Sequence, residues 1–523
     1  MNTRNLKLST EWLLILTLAI FKLALHFLTN ANYELHRDIY LYLALADYPD
    51  WGYITVPPFT PLIGKLAMAL FGDSAFAIGF FPALIGAISV IVIALIVKEL
   101  GGKTPTGVAW AVVLACAAFI LSPSFLRSNT FLMPVPFDQF AWLLSGYFIV
   151  KLVKQQNPRY WIHLGVLWGL AFLNKYAIVF FALAFFLALL LTSDRRLIRS
   201  KYFGIGLLLG FLIILPNLIW QQAHNWPVIG HMEELRRTQL VNVRVGDFIM
   251  LQFLMNLHAV ILWLCGLGFL LFSQAGRKFR VLGLTFLFTV FILMVLSGKA
   301  YYTLGVYSMM FAAGGVAIEN WFAERRRFLK PAMLAVMILI FLPVLPYSLP
   351  VLSFDKMAAY AQASKKFGLE GALMWEDGRI HALPQDYADM TGWRELAEIV
   401  TETYQSLSEA EKSSCAIYAE NYGQAGAIKY HGKKRGLPEP VCFHETFLLW
   451  APDSVTQQTL IYVNDELGQD IQQLFAKIEL AGQVDNEYFR ENGVQVYLCQ
   501  NPRDGFKELY QEKVGRLKNR YKK

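Results

Sequence analysis

The chain has 523 residues, 56% of them hydrophobic and only 16% charged, with a formal net charge of +8. A soluble globular domain carries about a quarter charged residues, so a wholly soluble protein is excluded. The basic excess does not mark a nucleic-acid partner, because the cations gather in short stretches between apolar runs, where membrane orientation explains them.

Met1 to Lys7 is short and basic, and the apolar run after it lacks a small-residue cleavage site, so it reads as a retained first span. Apolar runs follow at 11–29, 75–97, 106–122, 137–153, 161–173, 176–192, 202–220, 248–272, 280–296, 303–322 and 331–349. Most approach the ~20 residues that cross a bilayer as a helix. Runs 161–173 and 176–192 are separated only by Asn174-Lys175 and read as a tight hairpin rather than one long bent element.

Orientation follows from charge. With the N-terminus inside, the inner loops carry Arg4 and Lys7; Lys98 and Lys103; Lys151, Lys154 and Arg159; Arg195, Arg196, Arg199 and Lys201; Arg277, Lys278 and Arg280; and Arg325, Arg326, Arg327 and Lys330. All these clusters are basic, as the positive-inside rule asks. Merging 161–192 into one span would turn the later clusters outward. About eleven spans then put the loop 30–74 and the tail on the outer side. The expected organisation is a polytopic helical membrane domain over 1–350 and an extracytoplasmic α/β domain over 351–523, beyond Pro343, Pro346 and Pro350. In the tail, 391–407 reads as a capped helix, and 415–418, 459–463 and 494–499 read as strands. Cys116 and Cys265 read as packing residues within spans; Cys415 and Cys442 are the tail pair whose proximity favours a disulfide in an oxidising compartment.

No nucleophile elbow, phosphate loop or paired-histidine metal spacing occurs. The candidates are charged and aromatic residues at the outer ends of spans. Asp38 follows Arg37 at the start of an amphipathic stretch; it is a general base or a solvated acid. Asp138, in Pro136-Phe137-Asp138, is an intramembrane functional acid, a helix cap, or both. Lys175, beside Tyr176, and Lys299, beside Tyr301 and Tyr302, hold a phosphate or snorkel to the interface. His224, His231 and Glu233 match no metal template, and Trp51, Tyr53 and Trp226 stack on a sugar or sit in an aromatic belt.

Several runs together resemble a known family. Arg37-Asp38-Ile39-Tyr40-Leu41-Tyr42-Leu43, Trp51-Gly52-Tyr53, Pro57-Pro58 and Phe71-Gly72-Asp73-Ser74 resemble the first outer loop of bacterial family 39 glycosyltransferases. These belong to the GT-C superfamily and are related to protein O-mannosyltransferases and the lipid A aminoarabinose transferase. Asn174-Lys175-Tyr176, Leu215-Pro216-Asn217, Gly298-Lys299-Ala300-Tyr301-Tyr302, Leu383-Pro384-Gln385-Asp386-Tyr387-Ala388-Asp389 and Asn421-Tyr422-Gly423-Gln424-Ala425-Gly426 continue the likeness.

The resemblance implies a polyprenyl-phosphate sugar donor, a bacterial inner-membrane location, and inverting transfer outside the cytoplasm to a lipid, protein or glycan acceptor. Asp38 inherits the base role. Arg37, Asp138, Lys175, Lys299, Tyr301 and Tyr302 are the expected substrate contacts. No metal ligands are assigned, although a divalent metal stays open as a cofactor. Two departures bear on the site. Ile39 stands where the family usually has a second acid, and Val56 stands where relatives that modify lipid A carry a Lys before the Pro-Pro pair. The rival class is a transporter or flippase of a lipid-linked sugar, which would favour ionisable residues near span centres rather than at outer ends.

Overall fold

A computed structural model describes residues 9–102, 110–322 and 326–522. Arg4, Lys7, Lys103 and Arg325, used above for orientation, lie outside the described residues. The chain forms two compact units, each discontinuous in sequence. One comprises Met1–Asn30, Ile78–Leu218 and Met232–Leu349, and the other Ala31–Ala77, Ile219–His231 and Pro350–Lys523.

Among the described residues, six helices are long and apolar enough to cross a bilayer: Thr10–Thr29, Ala75–Leu100, Lys201–Ala223, Arg277–Val295, Ala300–Trp321 and Leu329–Ser348. The number reaches 8 if two bent pairs each count as one span. The apolar run read over 248–272 is bent. Helix Val245–Leu254 and the segment Leu257–Phe272 meet at 64°. Asn256 leaves helical geometry there, and its Oδ1 accepts a hydrogen bond from Ser122 Oγ at 3.2 Å. Runs 161–173 and 176–192 form separate helices, Tyr160–Phe172 and Ile178–Leu190.

The first unit is built around helix Leu304–Trp321, in which every residue from Leu304 to Ile318 is buried. Apolar side chains gain little by leaving lipid for one another, so close backbone approach supplies the packing. A Cβ at Gly314 would strike the Leu262 carbonyl, and one at Gly315 the Ala111 carbonyl. One buried charge beside this helix is paired. Lys330 reaches Glu319 at 2.9 Å, and the second Glu319 oxygen accepts the Ala111 N–H at 2.7 Å.

The second unit carries a four-stranded sheet. Its strands are β1 (Cys415–Ala419), β2 (Thr459–Asn464), β3 (Phe475–Gln483) and β4 (Gln495–Pro502), ordered β1-β2-β4-β3. β1 and β2 are parallel, and the other pairs antiparallel. β3 escaped the sequence reading although Ala476-Lys477-Ile478-Glu479-Leu480 alternates apolar and polar residues; most of the strand after Phe475 is exposed. Helices Trp393–Gln405 and Tyr422–Gly432 pack on each other. The cap expected near 391 comes from elsewhere. Gly392 adopts φ +84° and offers no side chain, and Glu34 Oε2 accepts the N–H groups of Trp393 at 3.0 Å and Arg394 at 3.2 Å.

The Cys415–Cys442 disulfide is not formed; all five cysteines are free. Val441 pairs with Tyr418 in parallel, which sets Cys442 opposite Ala419, four residues along β1 from Cys415 and roughly 13 Å away at ~3.3 Å per residue, beyond disulfide reach.

Glu34→Ala should cost about 1 kcal/mol by orphaning two helix N–H groups, lowering the thermal midpoint of detergent-solubilised protein by a few degrees. Glu34→Gln keeps an acceptor and should lose less. Equal midpoints for Ala and wild type would show that the cap carries no stability.

Candidate active site

In the second unit, helix Arg37–Asp47 starts at a point fixed by several hydrogen bonds. The Arg37 N–H donates to the Asp389 carbonyl at 3.0 Å, and the Asp38 N–H donates to His36 Nδ1 at 3.1 Å. Asp38 therefore sits in the first turn, where the helix dipole complements a carboxylate. Its Oδ1 accepts the Tyr422 hydroxyl at 2.6 Å. Oδ2 accepts no hydrogen bond from the described residues. The Arg37 guanidinium lies over the Tyr422 ring, 4.6 Å from its centroid, and 3.6 Å from Glu491. Glu491 also accepts from Asn421 Nδ2 at 3.1 Å and Gln424 Nε2 at 2.8 Å.

The run Asn421 to Gly426 acquires a physical meaning from this packing. Asn421 caps helix Tyr422–Gly432 by accepting from the Gly423 and Gln424 N–H groups. A Cβ on Gly423 would come within 2.9 Å of the Arg37 and Trp393 side chains. One on Gly426 would come within 2.9 Å of the Tyr40 backbone. Both positions need glycine so that the two helices approach closely enough for Tyr422 to reach Asp38.

Around Asp38 the electrostatics are crowded. Burial disfavours the His36 cation, but Asp386, Asp38 and Asp389 outweigh it and hold its pKa above the ordinary value. The cap to Asp38 opposes this, because Nδ1 must keep its lone pair; the neutral tautomer with Nε2–H facing Asp389 at 3.7 Å satisfies both contacts. Burial raises the Asp389 carboxyl, while His36 and Arg490 pull it back. Glu445, with φ +56°, accepts from Thr55 Oγ1 at 2.5 Å. Desolvation pushes it up to about 7, with the Asp38 charge adding to the rise.

The first unit brings together most of the other candidates. Lys175 Nζ lies 4.7 Å from the Tyr302 ring centroid and 5.7 Å from that of Tyr301. The charges of Asp138 and Lys299 both act on it. Asn174 Nδ2 donates to the Pro134 carbonyl at 2.8 Å, tying this turn to the start of helix Pro134–Gln155. The Tyr176 hydroxyl donates to Asn217 at 3.2 Å. Asp138 is not a helix cap. It is the fifth residue of its helix, past the free N–H groups, and is buried at 6% exposure. The Lys175 charge acts on it.

Some sequence-based candidates separate from these clusters. Tyr53 is 1% exposed, and its hydroxyl donates within reach of the Leu45 and Tyr48 carbonyls, so it neither stacks on a sugar nor joins a belt. No group of three or more His, Cys, Asp or Glu is arranged for a metal among the described residues. The described residues therefore offer no donor set for the divalent metal left open above. Tyr422, Glu491, His36 and Glu445 were not assigned from sequence. Only Tyr422 had a signal, its place in the Asn421 to Gly426 run.

Glu445 makes stability depend on pH. Its folded pKa of about 7 lies above the ordinary 4.5, so between those values the folded chain holds a proton the unfolded chain has lost. Stability should fall as pH rises through this window. Glu445→Gln should flatten that part of the thermal-midpoint profile, and an unaltered slope would refute the assignment.

Residues 55–220 match the family model described as dolichyl-phosphate-mannose-protein mannosyltransferase. The chain is 27% identical over 208 residues to the lipid A galacturonosyltransferase RgtD of Rhizobium johnstonii, covering 39% of this chain and 42% of that protein. The match thus spans less than half the length of that curated relative. The crystal structure of ArnT from Cupriavidus metallidurans bound to undecaprenyl phosphate is similar with a TM-score of 0.62 at 14% identity, covering 94% of this chain and 98% of that one. Its apo state is similar with a TM-score of 0.56 at 14% identity, covering 93% and 97%. At such identity the structural likeness establishes the fold. The chain is thus similar over residues 55–220 to that family model, over part of its length to one lipid A galacturonosyltransferase, and in fold to ArnT.

Proposed function

We propose that the chain is an integral membrane glycosyltransferase that moves a sugar from a polyprenyl-phosphate donor to an extracytoplasmic acceptor, with inversion at the anomeric carbon. The observation that carries this reading is the hold on Asp38: one oxygen bonded to Tyr422 at 2.6 Å, and the other left to accept a proton. The family match over 55–220 and a relative solved with undecaprenyl phosphate support the donor class. The transmembrane portion is 1–350, crossing a bacterial inner membrane about eleven times, and 351–523 lie outside the cytoplasm.

In the proposed reaction, an acceptor hydroxyl gives its proton to Asp38 as its oxygen attacks the anomeric carbon. The bond from that carbon to the donor phosphate breaks, and its electron pair leaves with the polyprenyl phosphate. A phosphate is a stable leaving anion, so no acid is required. Lys175 and Lys299 hold its charge, Tyr301 and Tyr302 orient Lys175, and Asp138 keeps the cationic pair from repelling itself apart. Arg37 braces Tyr422 and carries the positive charge beside the base.

Asp38→Asn should lower kcat by on the order of a hundredfold or more, with expression and insertion unchanged. Near-normal turnover would sink the assignment. Lys175→Ala and Lys299→Ala should raise the donor KM roughly tenfold or more, since a hydrogen bond to a charged group is worth about 1.5–3 kcal/mol. An unchanged donor KM would remove the lysines from the phosphate site. Mass spectrometry of lipid A, envelope proteins and surface glycans, with and without the chain, identifies the acceptor class.

A further inference from the structure

The first unit contains a basic cavity of about 500 Å³ that the proposed reaction does not use. It lies where the C-terminal ends of helices Pro134–Gln155 and Ile178–Leu190 meet the start of helix Arg280–Val295. By charge bias this is the cytoplasmic end of all three. Arg196, Arg277, Lys278 and Arg280 line it against one acid, Asp194. That acid already accepts from Gln156 Nε2 at 2.9 Å, while Arg196 donates to Gln156 Oε1 at 2.9 Å. Arg277 and Arg280 have no carboxylate partner among the described residues, and Arg280 Nε is buried without a hydrogen bond.

Four cations around one cavity repel one another, and a desolvated guanidinium N–H without an acceptor is costly. An anion entering the cavity would relieve both. Free inorganic phosphate would meet the charge alone. The cavity wall, however, also includes Leu191, 68% exposed, next to Leu190 at 52%, in a segment at the end of an apolar helix. A cationic pocket beside an exposed apolar edge fits a molecule that joins a phosphate to hydrocarbon.

We propose that this cavity binds the headgroup of an anionic phospholipid of the inner leaflet. The phosphate sits among Arg196, Arg277 and Arg280, and an acyl chain runs along Leu190 and Leu191. The site is separate from the donor phosphate contacts at Lys175 and Lys299, so it stands or falls independently of the transfer reaction.

Native mass spectrometry of the full chain, released from micelles containing phosphatidylglycerol or phosphatidylcholine, tests it. The wild type should retain phosphatidylglycerol and lose phosphatidylcholine. The double variant Arg277→Gln/Arg280→Gln should retain phosphatidylglycerol at least about tenfold less, and Arg277→Lys/Arg280→Lys should keep most of it. If the double glutamine variant misfolds by thermal unfolding, Arg196→Gln, at an exposed position, should still reduce retention. Equal retention of the two lipids overturns the proposal, as does unchanged retention in the folded glutamine variants. Displacement by millimolar inorganic phosphate would also overturn it in favour of a free-anion site.

Discussion

The start of helix Arg37–Asp47 is the constraint on which the second unit depends. A short helix has little stability of its own, because its free N–H groups and chain entropy must be met from outside. Here the Asp389 carbonyl and the His36 ring take the first N–H groups. Gly423 and Gly426 then let helix Tyr422–Gly432 lie against it at backbone distance. The result is a carboxylate whose position is set by packing rather than by its own rotamer freedom. Rigid placement of this kind is what a general base needs, since misplacement by an ångström costs orders of magnitude in rate. The same arrangement serves the neighbouring fold, because Glu34, four residues before Asp38, caps helix Trp393–Gln405.

In the first unit the controlling cost is different. A lysine in an apolar setting must find compensation, and Lys175 has three kinds: an opposite charge at Asp138, the ring faces of Tyr301 and Tyr302, and a turn anchored by Asn174 on the Pro134 carbonyl. These partners come from three separate segments of chain. They bring a cation to the end of a span and keep it there, which simple snorkelling would not require. An anionic ligand phosphate would find that cation already oriented.

The sequence made the apolar runs legible because bilayer thickness demands length, and length survives without any knowledge of packing. It did not show where a run bends, since the break at Asn256 depends on Ser122, far away in the chain. Three strands were readable from β-branched and aromatic residues, while β3, with an exposed outer face, was not. The candidate site was suggested where chemistry and spacing coincide, as at Arg37-Asp38 and Asn174-Lys175. Tyr422 and Glu491 were not, because a tyrosine and a glutamate so far along the chain look ordinary until the fold brings them to the first loop. The glycines of the Asn421 to Gly426 run gave the pattern, but only the contact with Tyr40 and Arg37 gives the reason.

Ile39 beside Asp38 suggested a lone acid, and the geometry refines that view. A second carboxylate, Glu445, is held near enough for the Asp38 charge to disfavour its ionisation, and its pKa rises to about 7 with burial as the leading cause. Two carboxyl groups in different surroundings can divide their roles. Under the proposed reaction, Glu445 would hold a proton through much of the range below neutrality. Thr55, which donates to Glu445, and Ile54, whose N–H donates to Thr446 Oγ1 at 3.1 Å, fasten the segment before Pro57-Pro58 to the same place. Under that reaction, the second acid of the site would be Glu445 rather than the residue after Asp38. Its neutral form avoids placing two like charges in one desolvated recess.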